Sequence, residues 1–348
     1  MTILKPFFKD PVISVITLIL LLFGIFILNS LSPAIFPQYY FYIAVSIVMF
    51  YIFYFIGFDI FKYFSVHLYI ISIFLLLLTL AAGQITRGTL RWIPLGEFSL
   101  QTSEIVRPFI LLFYASIVSG YKGGTKKLLG IIMLGLIPVL LIAIQPSLGV
   151  AIVTLAGLVT IFFIKFINLR SVVVLILISL LAIPATWFLL KPYQKERITV
   201  FLNYQKDPKG VGYNEIQSII SVGSGGLFGR GFKKGFQTQL KYLPEKSTDF
   251  VFAGISEELG FVGAVSVLTL LFILFFRVLR NATEAKIKIY QLFAFGVLAV
   301  FLVETVINVG MNLGILPITG LPLPFISAGG SSLLTSLVSI SLVVSGKE

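Results

Sequence analysis

The sequence predicts an all-α polytopic membrane protein of about ten transmembrane helices, with a large extracytoplasmic loop between helices 7 and 8. Three observations predict it. Of 348 residues, 58% are hydrophobic and only 11% charged, with a mean hydropathy of +1.04; soluble domains carry roughly 25% charged residues. Apolar runs of about 20 residues, enough to cross a hydrocarbon layer of roughly 30 Å as a helix, recur along most of the chain. One segment, 191–249, interrupts them with ten Lys or Arg and five acids. A transmembrane bundle of this kind is a single domain, 1–348.

The first span, about 12–32, follows Lys5 and Lys9 and lacks the short core and small-residue cleavage site of a signal peptide, so it is expected to be retained. The next spans are about 40–58, 67–83, 105–120, 128–145, 148–165 and 171–190. The fourth is the weakest, because Glu104, Arg107 and Pro108 crowd its start. After the long loop come 250–276, 287–310 and 326–345. Lys62, Lys122, Lys126, Lys127, Lys165, Arg170, Arg277, Arg280, Lys286 and Lys288 fall on one side, with Lys5, Lys9 and Lys347. The excess of Lys and Arg in short loops makes that side cytoplasmic, with both termini inside. The loop 191–249 is long enough to escape this rule and lands outside, so its charge needs another explanation; binding a phosphorylated substrate is one. A long loop of this kind is more often functional than a linker.

The net charge of +12 reads as basic cytoplasmic loops facing anionic lipids, not as a nucleic-acid surface. There is no cysteine and His67 is the only histidine, which excludes thiolate chemistry, a Ser-His-Asp triad and a multi-histidine metal site. His67 itself reads as an interfacial residue. Acid-base work then falls to Asp, Glu, Lys, Arg or Tyr.

Fourteen acids remain to be weighed. Asp10, Asp59, Glu284 and Glu348 lie at cytoplasmic edges, and Glu196, Asp207, Glu215 and Glu245 lie in the outer loop among Lys and Arg. Glu97, Glu104, Asp249, Glu257, Glu258 and Glu304 sit at or inside membrane boundaries, where an ionised carboxylate is costly and usually faces a cavity or a partner. Asp249 ends the basic loop at Ser247-Thr248-Asp249, just before an apolar run. That pattern suits a helix N-cap as well as it suits a general base facing an anionic substrate, and the local sequence leaves both open. Glu257 and Glu258 lie about two turns further on and point apart, so at most one shares a cavity with Asp249.

Glu304, Asn308 and Asn312, spaced i, i+4, i+8, form a polar stripe on one helix face. Interhelical hydrogen bonding is the favoured reading, substrate contact the other. Arg87 and Arg91 share an outer loop, Arg91 beside Trp92, and a guanidinium fork suits phosphate. Glu104 and Arg107 are i, i+3 and suited to pairing. The run Gly223-Ser224-Gly225-Gly226-Leu227-Phe228-Gly229-Arg230-Gly231 has the composition of an anion-binding nest, or simply of turns. Leu321-Pro322-Leu323-Pro324-Phe325-Ile326-Ser327-Ala328-Gly329-Gly330-Ser331-Ser332 implies a broken or re-entrant start to the last helix. Non-helical backbone at membrane depth is tolerated only in protein or beside a polar cavity, which places a cavity on the Asp249 side.

Taken together, these strings resemble the SEDS family, the RodA and FtsW peptidoglycan glycosyltransferases, over nearly the whole chain. Arg91-Trp92-Ile93 with Gln101-Thr102-Ser103-Glu104 is similar to the family's R-W-I…Q-P-S-E, and Gln145-Pro146-Ser147-Leu148-Gly149 to Q-P-D-L-G. Tyr193-Gln194 with Arg197, the glycine-rich run, Thr248-Asp249-Phe250 with Glu257-Glu258-Leu259-Gly260, and Leu323 to Ser332 match four further motifs, in order. The resemblance implies polymerisation of lipid II into glycan strands outside the plasma membrane, by inverting glycosyl transfer with polyprenyl pyrophosphate leaving. It places the catalytic aspartate, the general base, on Asp249. Arg91, Arg197 and Arg230 are then candidates to offset the pyrophosphate charge, with Glu104, Arg107 and Ser327 as further substrate-binding candidates. It also implies a divalent cation (Mg or Mn), no organic cofactor, and a class B penicillin-binding protein, a transpeptidase, as partner. Three departures stand out: Ser147 for the usual Asp, Thr102 for Pro and Arg107 for Lys. Loss of the Asp weakens the expected metal dependence. Asn312 to Pro317 and the short termini look more like elongation-type RodA than division-type FtsW. A lipid II flippase with the same cavity, or a scaffold for a transpeptidase, is the competing expectation. No internal repeat of the transporter kind is visible.

Overall fold

The computed structural model describes residues 9–82, 84–86, 89–95, 98–166, 195, 199–201, 211–240 and 242–347. Seven helices in it are long and apolar enough to cross a membrane, and two shorter apolar helices accompany them. In order they are α1 (Pro11–Leu31), α2 (Phe36–Ile56), the short α3 (Phe58–Tyr63), α4 (Ser65–Ala82), α5 (Thr102–Ile105) running into α6 (Arg107–Ser119), α7 (Thr125–Ile144) and α8 (Leu148–Phe166). The loop contributes α9 (Val211–Ser224) and the single turn α10 (Phe236–Gln239). Then come α11 (Val251–Glu284), α12 (Lys288–Asn312) and α13 (Gly330–Ser345). The protein is thus a helical, multi-pass membrane protein, as its hydropathy predicts. The predicted span 171–190 lies outside the described residues.

The all-α expectation needs one amendment. Residues 84–101, expected as loop, include an antiparallel meander: β1 (Gln84–Thr86), β2 (Thr89–Leu95) and β3 (Phe98–Gln101) in the order β1-β2-β3. Trp92 pairs with Gln101 and Leu95 with Phe98. The signal was present in the β-rich alternation of 89–95 followed by Gly96.

At the centre stands α13, buried along its whole length from Ser331 to Ser345 and packed mainly on α2. Its small residues allow close helix approach in a setting where lipid supplies no hydrophobic drive between helices. Around it, α1 packs on α11, α11 on α12, and α12 on α8 and α6. The bundle's two ends are distinct. At one end Asp10, fully buried at the N-cap of α1, takes Arg277 Nε and Asn281 Nδ2 of α11 and Lys347 Nζ at 2.7–3.0 Å. Burial pushes the Asp10 carboxyl up, but bonds from Lys347, Asn281 and Arg277 outweigh it and hold it below the usual range. At the other end lie the meander, the start of α11 and Asp249.

Between α12 and α13 the chain is non-helical, as the two prolines predict, and α13 begins at Gly330, later than the expected 326. Leu321, Leu323, Phe325 and Ile326 are almost completely buried there. The segment passes so close to α1 that a Cβ on Gly24 would lie 3.1 Å from Ile326 Cα. Phe325 takes a left-handed φ of 65°, a strained conformation held by its packing on Phe301.

Candidate functional site

Residues 245–250 form a tight turn. The amides of Thr248, Asp249 and Phe250 all donate to Glu245 O at 3.1–3.2 Å. Glu245 itself takes φ 51°. Helix α11 begins at Val251 with Phe250 as its N-cap. Of the two readings left open for Asp249, the capping position is thus occupied by its neighbour. The Asp249 side chain is half-buried and turns toward the α12–α13 connection, where a Cβ on Gly320 would lie 3.4 Å from Asp249 Oδ2. Gly320 has φ +73°, so both conformation and space favour glycine opposite the carboxylate.

Two other elements hold this turn. From α12, Asn308 Nδ2 donates to Asp249 O (3.1 Å) and Leu321 O (2.8 Å). Asn312 Nδ2 donates to Asp249 O (3.0 Å) and Asn308 O (2.8 Å), while its Oδ1 accepts from Ala253 N (3.0 Å). That last bond satisfies an amide in the first turn of α11, which has no partner within its own helix. The polar stripe thus makes the interhelical bonds favoured from its spacing. From the other side, Ser327 Oγ donates to Thr248 O (2.7 Å) and accepts from Leu323 N (2.8 Å), and Ala328 N donates to Ser247 O (2.8 Å). Ser327, expected to touch substrate, has its hydroxyl engaged in holding the turn.

Beside the turn lies a cavity of about 210 Å³ whose lining includes Ser247, Thr248, Gly329, Tyr39, Tyr42 and Trp92. This is the cavity that the proline-broken segment predicts on the Asp249 side. Tyr42 OH donates to Ser99 O (2.9 Å), and Gln101 N donates to Ser331 Oγ (2.8 Å), so the meander is fastened to α2 and α13 as a wall. Aromatic faces beside polar hydroxyls and amides suit a sugar-bearing ligand. Sequence reasoning did not single out Tyr39 and Tyr42, because two tyrosines in an apolar helix carry no local signal.

Other candidates are placed elsewhere. Arg107 opens α6 and is 1% exposed; its Nη1 lies 2.6 Å from Glu304 Oε1 on α12. Arg107 thus reaches Glu304 across the bundle, a partner that the i, i+3 reading with Glu104 did not name; the break between α5 and α6 falls at Val106, just before Arg107. Glu104 is buried on α5. Arg91 stands on β2, while its side chain, all of Arg197 and Glu97 lie outside the described residues. Arg230 is exposed, its Nε donating to Ser224 O (3.0 Å). Of the departures, Ser147 Oγ accepts from Gln101 Nε2 (3.0 Å), and Thr102 Oγ1 bonds Thr79 Oγ1 (2.8 Å).

Four amides of the glycine-rich run, those of Gly225, Gly229, Arg230 and Gly231, are used within the protein. Helix α11 kinks at Gly260 (φ 68°), and the run docks into the break. Arg230 N and Gly231 N donate to Glu257 O and Glu258 O, and Phe261 N and Val262 N donate to Gly226 O and Leu227 O, at 2.9–3.1 Å. The approach is so close that a Cβ on Gly225 would lie 1.8 Å from Ser256 O, and one on Gly229 2.2 Å from Glu258 O. Glu257 accepts from Gln237 N (2.7 Å) and Thr238 N (3.0 Å), bracing α10, and Glu258 accepts from Gln239 Nε2 (2.9 Å). Neither carboxylate lines the cavity beside the Asp249 turn. Among the described residues no three His, Cys, Asp or Glu side chains converge to hold a metal ion, so the expected cation finds no protein-made cage there.

A helical membrane bundle with a clamped aspartate beside an aromatic-lined cavity defines the class: a polytopic protein with a site at one membrane face. Residues 12–347 match the cell cycle proteins FtsW, RodA and SpoVE, and the chain belongs to that family. It is 40% identical over 283 residues to the peptidoglycan glycosyltransferase MrdB of Escherichia coli K12, covering 80% of this chain and 76% of that one. It is 36% identical over 362 residues to a probable peptidoglycan glycosyltransferase FtsW of Wigglesworthia glossinidia brevipalpis, covering 98% and 94%. Among solved structures, a chain of a peptidoglycan synthase complex that coordinates polymerization and crosslinking superposes with a TM-score of 0.84 at 29% identity, covering 96% of each chain. An aspartate-to-alanine mutant of the Thermus thermophilus rod shape determining protein RodA gives 0.73 at 26% identity, covering 96% and 95%.

Proposed function

We infer that this chain is a peptidoglycan glycosyltransferase that polymerises lipid II during cell elongation, with Asp249 as general base. The observation that carries the assignment of Asp249 is the clamp. Asn308, Asn312 and Ser327 spend their polar groups on the backbone of Thr248 and Asp249, which fixes the turn from which the Asp249 carboxylate projects toward Gly320. A reacting group must be held in place by supports of this kind for its geometry to count.

In the reaction, Asp249 takes the proton from the acceptor sugar hydroxyl as its oxygen attacks the anomeric carbon of the donor. The bond from that carbon to the pyrophosphate oxygen breaks on the opposite face, so configuration inverts, and polyprenyl pyrophosphate leaves with the electron pair. Arg91 and Arg197 offset its charge; Arg230 stands instead on the glycine-rich run that docks at the kink of α11. No step is assigned to a divalent cation. The aromatic wall at Tyr39, Tyr42 and Trp92 positions a sugar. The Asp249 end faces outward across the plasma membrane and both termini lie in the cytoplasm; the concentration of Lys and Arg around Asp10 and α11's far end supports this orientation. A class B penicillin-binding protein is the proposed partner, supported by the similarity to a chain of a synthase complex that also cross-links.

The test is glycan-strand formation from lipid II by purified protein with that transpeptidase. Asp249→Asn keeps size and the backbone clamp but cannot accept the proton, so polymer formation should fall by about 10²- to 10⁴-fold. Polymerisation at the wild-type rate by a well-folded Asp249→Ala sinks the base assignment. Lipid transport without polymer in the wild type sinks the enzyme reading.

A further inference from the structure

The segment 191–249 is expected to lie wholly outside the membrane, yet part of it is bonded to the flank of a transmembrane helix well inside. Helix α1 supplies the ruler. Its 21 residues span about 31 Å at 1.5 Å per residue, close to the hydrocarbon thickness. Its Asp10 end bonds Arg277 and Asn281 of α11, and its Leu31 end meets α11 at Gly254, where a Cβ would lie 2.6 Å from Leu31 Cδ1. Leu31 and Gly254 therefore mark one edge of the hydrocarbon layer. The glycine-rich run is bonded to Glu257, Glu258, Phe261 and Val262, three to eight residues past that edge, or about 4–12 Å inside it. A second contact agrees: the Phe232 ring stacks on Phe26 of α1 with centroids 4.7 Å apart, about 7 Å inside Leu31.

What this hairpin shows to its surroundings fits that depth. Leu227 is 65% exposed and Phe228 81%, and they adjoin Phe261 and Val262 on the outer flank of α11, also exposed. Backbone enters lipid only when its polar groups are satisfied. Here the kink at Gly260 frees carbonyls and amides of α11, and the hairpin's Gly226, Leu227, Arg230 and Gly231 take them up. Two of its three cations sit at the edge of the apolar layer: Lys233 N bonds Ser30 Oγ there, and Lys233 and Lys234 are exposed, while Arg230 Nε donates to Ser224 O within the hairpin.

We propose that residues 224–235 form a re-entrant hairpin whose Leu227 and Phe228 contact the acyl chains of the membrane leaflet on the Asp249 side, making that leaflet a direct partner of the loop. The hairpin continues into α10, whose Thr238 O accepts from Lys246 Nζ in the turn that carries Asp249. Lipid contact thereby sets the height of the site against the bilayer; this consequence, unlike the contact itself, rests on the proposed function.

The chain has no cysteine, so single cysteines can be labelled in the otherwise unaltered protein. Phe228→Cys and Leu227→Cys are tagged with a nitroxide in liposomes of phosphatidylethanolamine and phosphatidylglycerol. Collision with oxygen, which concentrates in hydrocarbon, is compared with collision with a water-soluble nickel chelate. Leu22→Cys on the lipid face of α1 and Lys122→Cys in the α6–α7 loop give the two reference environments. The proposal expects the oxygen-to-nickel ratio at both hairpin positions to shift to that of Leu22. A ratio like that of Lys122, or collision with neither reagent as in a protein-covered site, overturns it. The readout is depth and not activity, so its failure leaves the glycosyltransferase reading untouched.

Discussion

Asn312 links the scaffold to the proposed base, and its truncation separates the two roles. In Asn312→Ala three bonds of 2.8–3.0 Å disappear, to Asp249 O, Asn308 O and Ala253 N. At about 1 kcal/mol net for each bond, plus about 1–2 kcal/mol for leaving the buried Ala253 amide without an acceptor, the loss is roughly 4–5 kcal/mol. Much of that falls on the turn, which keeps Asn308 (3.1 Å), Ser327 and Ala328 as remaining ties. A displacement of the carboxylate by about 1 Å should cost on the order of 10²-fold in rate. The assay is initial rate of lipid II polymerisation per folded molecule, with a thermal melt in the same detergent. We expect kcat to fall by about 10- to 100-fold with half-saturation nearly unchanged, because Asn312 holds the base and does not line the cavity. Asn308→Ala, which loses two bonds, to Asp249 O and Leu321 O, should show the same pattern more weakly. A wild-type kcat in a melted-down but folded Asn312→Ala would refute the view that the clamp positions Asp249.

Three further outcomes follow from the packing and charge. Gly229→Ala places a Cβ 2.2 Å from Glu258 O at φ +81°, so it should lower the melting temperature far more than Gly223→Ala, whose Cβ meets nothing within 4 Å. Arg107→Leu alone leaves the Glu304 carboxylate buried beside no cation and should cost about 3–5 kcal/mol in chemical unfolding, whereas Arg107→Leu with Glu304→Leu should recover most of it. Burial pushes the Glu215 carboxyl up to about 7, and its Oε1 has no hydrogen-bond partner. The folded state then holds a proton that the unfolded chain releases near pH 4.3, so stability is greatest below that pH and declines as pH rises to about 7. Glu215→Gln should flatten that decline in melts between pH 5 and 8, and an unchanged slope would assign the titration to another group.

The local physics of the chain explains what could be read from it and what could not. Apolar run length is a local property, and each predicted span on described residues found its helix, with most ends displaced by a few residues and α11 running eight residues beyond the expected 276. The broken start of α13 was equally legible, since Pro322 and Pro324 cannot sustain a helix and Gly329-Gly330 allows the chain to turn. Partner choice was not legible. The i, i+3 spacing of Glu104 and Arg107 suits a local pair but carries no sign of Glu304, which Arg107 meets across the bundle. The glycine-rich run suits an anion nest or simple turns equally, because glycine content reports backbone freedom and not what the freed amides will meet.

By itself the sequence determined the membrane bundle, the polar stripe, the break before the last helix and Asp249 as the carboxylate to weigh. Hydropathy, proline and acid scarcity act within a few residues and need no partner. The tertiary structure decided what each polar group is for. It moved the helix N-cap to Phe250, and it made Asn308, Asn312 and Ser327 a clamp. It walled the neighbouring cavity with Tyr39, Tyr42 and Trp92, and it sank the glycine hairpin beside the kink at Gly260. A buried donor or acceptor must be satisfied by whatever the fold brings within about 3 Å, and that choice is made between segments distant in sequence.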